Sequence, residues 1–300
     1  MGSPDFAVPS LEAIHQSDHE IVAVASNQDK RRGRGGKPQP TIVKKKALDL
    51  GYPTIDVESP KAPEFADKLK ELKPDLLVVV AFRILPPEVL EIPAIGSINL
   101  HASLLPKYRG AAPIHWAIIN GEKETGCTVF FLDEKVDTGK IISRFKTEIG
   151  PMETTGDLYE RLKIRGAELL IDSINDIAND SVEMIEQDDS KASPAPKLFK
   201  ENTKADFNLP VQEVHNLIRG LNPFPVAWCY YEDQKLNLYR SAPGPRTTNA
   251  APGHLVETSD GLYVQCADGL LELQELQLPG TKRLTGEEFK NGYDTSVVLH

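Results

Sequence analysis

Three polar side chains have the types needed to polarise a carbonyl group and to move one proton. Asn99 and His101 stand two residues apart at the end of a short apolar strand, and Asp137 follows a second apolar strand. Because alternate residues of a strand point to the same face, the amide and the imidazole share a face. An amide donor, an imidazole and a carboxylate are typical of sites that stabilise developing charge and handle a proton.

Each of these signals is weak when it is taken alone. Asn99 and His101 are also explained as the turn after a strand, and the residues alone favour that simpler explanation. Asp137 shortly precedes Gly139, and this pairing is common in loops. Their position adds weight, because both strands deliver them at their C-terminal ends, where open α/β sheets place their binding sites.

The elements that must position these residues alternate between strand and helix. The predicted strands cover residues 19–27, 54–57, 75–82, 97–100, 128–132 and 139–147. The predicted helices cover residues 41–50, 63–72, 86–90, 112–119 and 155–178, with a Gly- and Pro-rich loop at 28–41. This alternation predicts an α/β domain with a mostly parallel sheet over residues 1–186.

The remainder of the chain differs in composition and in its pattern of predicted elements. Residues 187–205 are rich in Ser, Pro, Ala and Lys without an apolar face, which predicts a linker. After a helix at 211–220, short alternating strands are predicted at 227–231, 236–239, 254–257, 262–266 and 270–276. Short antiparallel strands separated by Asp-Gly turns predict a small C-terminal β-barrel of OB type over residues 206–300.

Composition excludes several classes of protein. Apolar runs are of strand length only, so no membrane span is predicted. Cys127, Cys229 and Cys266 are widely spaced and form neither a metal motif nor an evident disulfide framework, which fits a reducing cytoplasm and no metal. No phosphate-binding or dinucleotide-binding glycine motif is present.

Charge is unevenly distributed along the chain. The net charge is −10, yet residues 30–46 carry eight basic residues and no acidic one. Most charge runs are simply solvated surface. This one is of a single sign and contains three glycines, so it also suits a phosphate backbone, whose contacts release counterions.

Longer motifs identify a family. The chain contains Asn99-Leu100-His101, then Ser103-Leu104-Leu105-Pro106-Lys107-Tyr108-Arg109-Gly110, and Asp137-Thr138-Gly139. Further matches are Pro4-Asp5-Phe6-Ala7, Ala195-Pro196-Lys197-Leu198, Asn222-Pro223-Phe224-Pro225 and Gly286-Glu287-Glu288-Phe289. With these motifs the sequence resembles, over essentially its whole length, the methionyl-tRNA formyltransferases among the folate-dependent formyltransferases.

The resemblance implies a Rossmann-like catalytic domain and transfer of a formyl group from 10-formyltetrahydrofolate to the α-amine of methionine on initiator tRNA, for translation initiation. By the family's pattern the catalytic residues are Asn99, His101 and Asp137, and the folate site is lined by Ser103, Leu104, Leu105 and Pro106. Contacts to tRNA are expected from Arg31, Arg32, Arg34, Lys37 and Lys197. We expect a cytoplasmic monomer without metal or membrane association.

One departure from the family's pattern affects the sheet. The family has a first strand before the Pro4-Asp5-Phe6 loop, and here that loop begins at the second residue. A missing strand would leave two neighbouring strands with unpaired edges, so we expect either a truncated chain or another segment in that place.

Three other functions stay open on the sequence. A formyltransferase or a formyl-folate hydrolase acting on a small molecule shares the catalytic motif, but has no use for the basic run and the C-terminal domain. A non-catalytic tRNA-binding relative would explain the missing strand.

Overall fold

The computed structural model describes residues 1–31, 36–244 and 250–300. The chain forms two compact units. The first unit consists of Met1–Gly110, Gly126–Thr147 and Tyr159–Pro194, and the second of Ala111–Thr125, Glu148–Leu158 and Ala195–His300.

The strands and helices follow the chain in order. The strands are β1 (Val24–Asn27), β2 (Lys30–Arg31), β3 (Pro38–Gln39), β4 (Thr54–Val57), β5 (Leu76–Val80), β6 (Gly96–His101), β7 (Arg109–Gly110), β8 (Glu124–Phe131), β9 (Ile141–Glu148), β10 (Pro194–Ala195), β11 (Ala227–Tyr231), β12 (Gln234–Pro243), β13 (Leu255–Glu257), β14 (Leu262–Gln265), β15 (Leu270–Gln277) and β16 (Leu284–Thr285). The helices are α1 (Val8–His15), α2 (Ile42–Asp49), α3 (Pro63–Leu72), α4 (Pro87–Leu90), α5 (Pro113–Ile119), α6 (Thr155–Ala178), α7 (Val211–Gly220) and α8 (Gly286–Gly292).

The first unit is built on a mostly parallel sheet, as predicted. Its main part has the strand order β5-β6-β8-β9, with β5 and β6 parallel and β6 and β8 antiparallel. β1 and β4 form a separate parallel pair. The run Leu-Leu-Val-Val-Val in β5 is typical of a strand covered on both faces, and Leu77 and Val79 lie in a core with Phe65 and Leu69 of α3. The α/β prediction is therefore confirmed.

A gap separates β1 from β5, and the first two residues occupy one end of it. Gly2 forms a parallel bridge with Val80, and its amide donates to the Ala25 carbonyl. The Met1 amine donates to the Val78 carbonyl at 2.5 Å. The rest of the gap adjoins an apolar cavity of about 150 Å³. The predicted strand 19–27 is accordingly paired only over β1, because residues 21–23 have no neighbouring strand among the described residues.

The basic segment is partly structured. β2 and β3 pair as a short antiparallel hairpin inside the region predicted to be a loop. On α2, Lys44 forms ion pairs with Asp29 and Asp56, both at 2.7 Å, and Lys46 pairs with Glu12 at 2.6 Å. Two of the eight cations in the basic run therefore form ion pairs within the first unit.

The second unit contains a six-stranded antiparallel sheet ordered β11-β12-β15-β14-β13, with β16 paired to β15. Val214 and Ile218 of α7 belong to its core. The described strands do not close into the predicted barrel, because β11 and β13 do not pair with each other. The chain end lies against both of these edge regions: His300 and Tyr230 exchange backbone hydrogen bonds, and Val298 bridges His254.

Over the described ranges, no helix is both long enough and apolar enough to cross a membrane.

Candidate active site

β6 presents Asn99 and His101 on one face. Ile98 and Leu100 point to the other face and are buried, because the strand lies between β5 and β8. Asn99 is half-buried, whereas His101 is only 6% exposed. The period-two pattern of this strand therefore brings the amide and the imidazole to one side of the sheet, as the sequence predicts.

The hydrogen bonds of His101 fix the roles of its two ring nitrogens. Nε2 lies 2.8 Å from the Tyr108 carbonyl oxygen, which can only accept, so Nε2 carries a hydrogen. Nδ1 lies 3.8 Å from Oδ2 of Asp137. In the neutral ring Nδ1 therefore carries a lone pair that faces the Asp137 carboxylate. In the protonated ring Nδ1 carries a hydrogen that faces the same carboxylate.

Asp137 is held in a specific orientation by its loop. Its Oδ2 accepts a hydrogen bond from the Gly110 amide at 2.8 Å, and its backbone is left-handed with φ of 56°. Asp is one of the few residue types that tolerates this conformation. At Gly139 a Cβ would stand 1.7 Å from the Phe131 carbonyl oxygen, so the turn after Asp137 requires glycine.

Gln187 joins the two loops that carry these groups. Its Nε2 donates to the carbonyl oxygens of Asp137 at 3.0 Å and Gly139 at 2.8 Å. Its Oε1 accepts from Nε and Nη2 of Arg109, at 3.1 and 2.7 Å. All four hydrogen-bonding positions of the amide are used, so Gln187 fixes the Asp137 turn relative to Arg109.

The loop after β6 is anchored at the same place. Tyr108 is buried and has a φ of 61°, which is unusual for a large side chain. Its amide donates to Ser193 Oγ at 3.0 Å, and the Arg109 amide donates to the Ser193 carbonyl at 2.9 Å. This anchoring sets the position of the Tyr108 carbonyl that binds His101.

Sequence reasoning missed three residues that hold this site: Tyr108, Gln187 and Ser193. Gln187 and Ser193 fall in the stretch predicted to be a linker, yet both hydrogen-bond to loops of the first unit. A polar residue in a polar stretch gives no local signal of such a contact, since its partners lie about 50 to 85 positions away in sequence.

The four residues predicted to line the folate site are only partly accessible. Ser103 and Leu105 are fully buried, and Leu104 and Pro106 are half-buried. The Ser103 hydroxyl donates to the Lys107 carbonyl at 2.6 Å, and the Leu105 amide donates to Thr128 Oγ1 at 3.1 Å. Leu104 and Pro106 are thus partly accessible, whereas Ser103 and Leu105 hold the loop through hydrogen bonds.

The residues predicted to contact tRNA lie in different parts of the chain. Arg31 and Lys37 are exposed on the β2–β3 hairpin of the first unit. Arg32 and Arg34 lie outside the described residues. Lys197 is exposed in the second unit, with its Nζ 5.7 Å from the ring centre of Phe199. No group of His, Cys, Asp and Glu within the described ranges is arranged to hold a metal ion.

Comparison with known proteins agrees with this architecture. The family described as formyl transferase matches residues 1–174, and the formyl transferase C-terminal domain matches residues 197–294. The methionyl-tRNA formyltransferase of Chlorobium phaeovibrioides is 45% identical over 98% of this chain and 94% of that protein. The methionyl-tRNA formyltransferase of Clostridium novyi is 44% identical over 99% of this chain and 97% of that protein.

Solved structures share the fold at lower identity. An N-formyltransferase from Helicobacter canadensis, in complex with folinic acid and dTDP-3-aminofucose, has a TM-score of 0.69 and 24% identity, covering 94% of this chain and 97% of that one. HypX from Aquifex aeolicus, in complex with tetrahydrofolic acid, has a TM-score of 0.60 and 16% identity, covering 80% of this chain and 42% of that one. Both family matches and the full-length similarity to the curated relatives lead to one conclusion: the chain belongs to the formyl transferase family, among the methionyl-tRNA formyltransferases.

Proposed function

We propose that this protein transfers the formyl group of 10-formyltetrahydrofolate to the α-amino group of methionine on initiator tRNA. The curated relatives that cover nearly the whole chain carry this activity in their names. The observation that carries the chemical part of the proposal is the position of His101, whose Nδ1 faces the Asp137 carboxylate while Nε2 is bound to a carbonyl.

The attacking amine needs little activation but must lose a proton. An α-amino group has a pKa of roughly 7.7–8, so part of it is already neutral at physiological pH. The free Nδ1 lone pair of His101 accepts the proton as the amine adds. Asp137 then stabilises the imidazolium, in the manner of the carboxylate that supports a catalytic histidine.

The bound 10-formyltetrahydrofolate supplies the formyl carbon that the amine attacks. Negative charge then develops on the formyl oxygen and requires a donor. Because neutral His101 gives its only N–H to Tyr108, the Asn99 amide is the donor available at the start of the reaction. One such donor is worth about 3 kcal/mol of the barrier. When the tetrahedral adduct collapses, the bond from the formyl carbon to N10 of the folate breaks, the His101 imidazolium gives its proton to N10, and tetrahydrofolate leaves.

Both substrates need surfaces on this chain. For the folate we propose the loop of Ser103, Leu104, Leu105 and Pro106, with Leu104 and Pro106 forming the contact surface. For the tRNA we propose the cations of the β2–β3 hairpin, with Arg32 and Arg34, and Lys197 of the second unit.

The remaining features belong to the same proposal. The second unit acts as an OB-like tRNA-contacting module, supported by the contacts of residues 298–300 with both sheet edges. The protein acts as a monomer in the cytoplasm, where initiator tRNA is used.

The decisive experiment mixes the protein with 10-formyltetrahydrofolate and measures tetrahydrofolate formation with and without methionyl initiator tRNA. We expect product only when aminoacylated tRNA is present. Product formation without tRNA would indicate hydrolysis or a small acceptor, and the absence of product in both arms would indicate a non-catalytic tRNA-binding protein.

A further inference from the structure

One threonine on the same face of the sheet as His101 holds the loop of residues 103–106. Thr128 of β8 stands directly opposite His101 in the β6–β8 pairing, and opposite residues of an antiparallel pair share a face. The Thr128 side chain is fully buried. Its hydroxyl therefore needs partners within the protein, and both of them are backbone groups of this loop.

The two hydrogen bonds of this hydroxyl have fixed directions. The Leu105 amide can only donate, and its nitrogen lies 3.1 Å from Thr128 Oγ1. The Ser103 carbonyl can only accept, and its oxygen lies 2.7 Å from Oγ1. The hydroxyl thus accepts one hydrogen bond and donates the other. Valine has the shape of threonine but can do neither, whereas serine can do both.

A second side chain holds the same loop from the neighbouring strand. Nη1 of Arg144 in β9 donates to the Leu105 carbonyl oxygen at 3.2 Å. The amide and the carbonyl of Leu105 are therefore bound by side chains from two different strands. Unlike Thr128, Arg144 is exposed. We call Thr128 and Arg144 the anchor residues.

The strand leaves room for the loop at the next position on the same face. Gly126 is two residues before Thr128, and a Cβ there would stand 2.8 Å from Cδ2 of Leu104 and 1.9 Å from the Phe145 carbonyl oxygen. Only glycine lets Leu104 approach the strand this closely. β8 therefore provides both the space and the hydrogen bonds that determine where this loop lies.

The position of the loop affects two parts of the candidate site. Leu104 and Pro106 are its partly accessible residues and form the proposed contact surface for folate. The Tyr108 carbonyl, just after the loop, lies 2.8 Å from His101 Nε2. Without the Thr128 hydroxyl, two backbone groups would lose their buried partner. The loop would then have to move, because an unsatisfied buried donor or acceptor is costly.

We propose that Thr128, together with Arg144, is a positioning residue for folate binding. The inference rests on the proposed function and adds to it the residues that shape the folate surface. The anchor residues act through the backbone of the loop. Loss of the Thr128 hydroxyl should therefore weaken folate binding and leave tRNA binding unchanged, because threonine carries no charge.

The first test removes the hydroxyl and keeps the shape of the side chain. Binding of 5-formyltetrahydrofolate, a stable isomer of the co-substrate, to the full-length protein is measured by isothermal titration calorimetry without tRNA. We expect Thr128→Val to bind at least about tenfold more weakly than the wild type, and Thr128→Ser to bind within about threefold of it. Wild-type affinity in Thr128→Val would overturn the proposal, and so would a serine variant as weak as the valine variant.

Thr203→Val is the matched control for the loss of a buried hydroxyl. Thr203 is buried in the second unit, where its hydroxyl donates to the Lys200 carbonyl at 2.9 Å and lies 3.2 Å from the Trp228 indole nitrogen. We expect its affinity for 5-formyltetrahydrofolate to stay within about twofold of the wild type. If this variant loses as much affinity as Thr128→Val, the effect does not come from the loop and the proposal fails.

A second pair of variants does not depend on a buried substitution. Arg144→Gln removes the exposed anchor, and Lys146→Gln removes the same charge from an exposed position on the same face of β9. We expect Arg144→Gln to bind 5-formyltetrahydrofolate about threefold more weakly than Lys146→Gln. Equal affinities of the two variants would contradict the proposal.

The wild type separates this inference from the proposed function. If the wild type does not bind 5-formyltetrahydrofolate, the folate assignment fails and the inference fails with it. If the wild type binds and Thr128→Val binds equally well, only the inference fails. Binding of uncharged initiator tRNA, followed by fluorescence anisotropy, should be the same in Thr128→Val and the wild type. A parallel loss of tRNA binding would mean that the substitution acts on the whole fold, and would overturn the positioning role.

Discussion

At the scale of single residues, the site depends on which nitrogen of His101 is free. The Tyr108 carbonyl takes the Nε2 hydrogen, which leaves Nδ1 toward Asp137. In its neutral form the imidazole can therefore accept a proton at Nδ1. The negative charge of Asp137 next to Nδ1 then stabilises the imidazolium. Asn99 remains as the neutral donor on the same face of β6.

We predict that Asp137→Asn lowers kcat about a hundredfold, because the amide keeps an oxygen for the Gly110 N–H but removes the charge beside His101. The change is measured in steady-state assays with both substrates saturating. Glu134→Gln removes the same charge from an exposed position of the same loop and serves as the control. A kcat near that of the wild type in Asp137→Asn would remove the carboxylate from the mechanism.

His101→Ala and Asn99→Ala should likewise lower turnover far more than folate binding.

Gln187 is predicted to be a positioning residue. Gln187→Glu keeps two acceptors for Arg109 but places a carboxylate against the carbonyls of Asp137 and Gly139, where the wild type donates. We expect kcat to fall at least about tenfold, because the Asp137 turn shifts, while KM for tRNA changes little. Gln16→Glu, at the exposed end of α1, is the matched control. A rise in KM with an unchanged kcat would contradict the positioning role.

At the scale of elements, the gap between β1 and β5 has a consequence for stability. The Met1 amine is buried although part of its side chain is exposed, and burial lowers the pKa of this amine from 8.0 to about 5. A lowered pKa means that the unfolded chain binds a proton more readily than the folded chain between these values. The contribution of the neutral Met1 amine to the free energy of unfolding is therefore fully present above pH 8, and it decreases as the pH falls toward 5.

We predict that the free energy of unfolding rises between pH 5 and pH 8, with at most about 4 kcal/mol from the Met1 amine. His115 and His215, whose pKa values are also lowered by burial, contribute in the same direction. Urea unfolding at several pH values measures the slope. An N-terminally acetylated sample has no amine to titrate and should show a shallower slope; an equal slope would assign the whole effect to other groups.

At the scale of the whole molecule, a protein of net charge −10 carries its positive charge in restricted places. Lys44 and Lys46 are engaged in ion pairs with the first unit's own carboxylates. Arg31 and Lys37 on the β2–β3 hairpin are exposed and are among the cations that we propose for tRNA binding. Local distribution, and not net charge, is what permits a tRNA substrate.

We predict that Arg31→Gln with Lys37→Gln lowers kcat/KM for methionyl-tRNA and reduces its salt dependence, because two exposed cations are lost. Lys68→Gln with Lys70→Gln on α3 removes the same charge from the same unit and should leave both quantities near wild type. Kinetics at two salt concentrations measure the difference. Identical salt dependence in the two variants would show that the hairpin does not contact tRNA.

Local sequence determined much of this protein. The periodicity of strands and helices depends on residues that are close in sequence, so α6, α7 and β6 were predictable. The spacing of Asn99 and His101 likewise predicted that both lie on one face of the strand. The family motifs were equally local, and the family prediction is confirmed.

Tertiary structure decided the contacts between distant segments. Gln187 meets Asp137, and Ser193 meets Tyr108, only because the chain returns to these places. The same holds for the gap beside β1, the open edge of the second sheet and the ion pairs of Lys44. A residue's own neighbourhood in sequence carries no information about partners that folding alone brings within hydrogen-bonding distance.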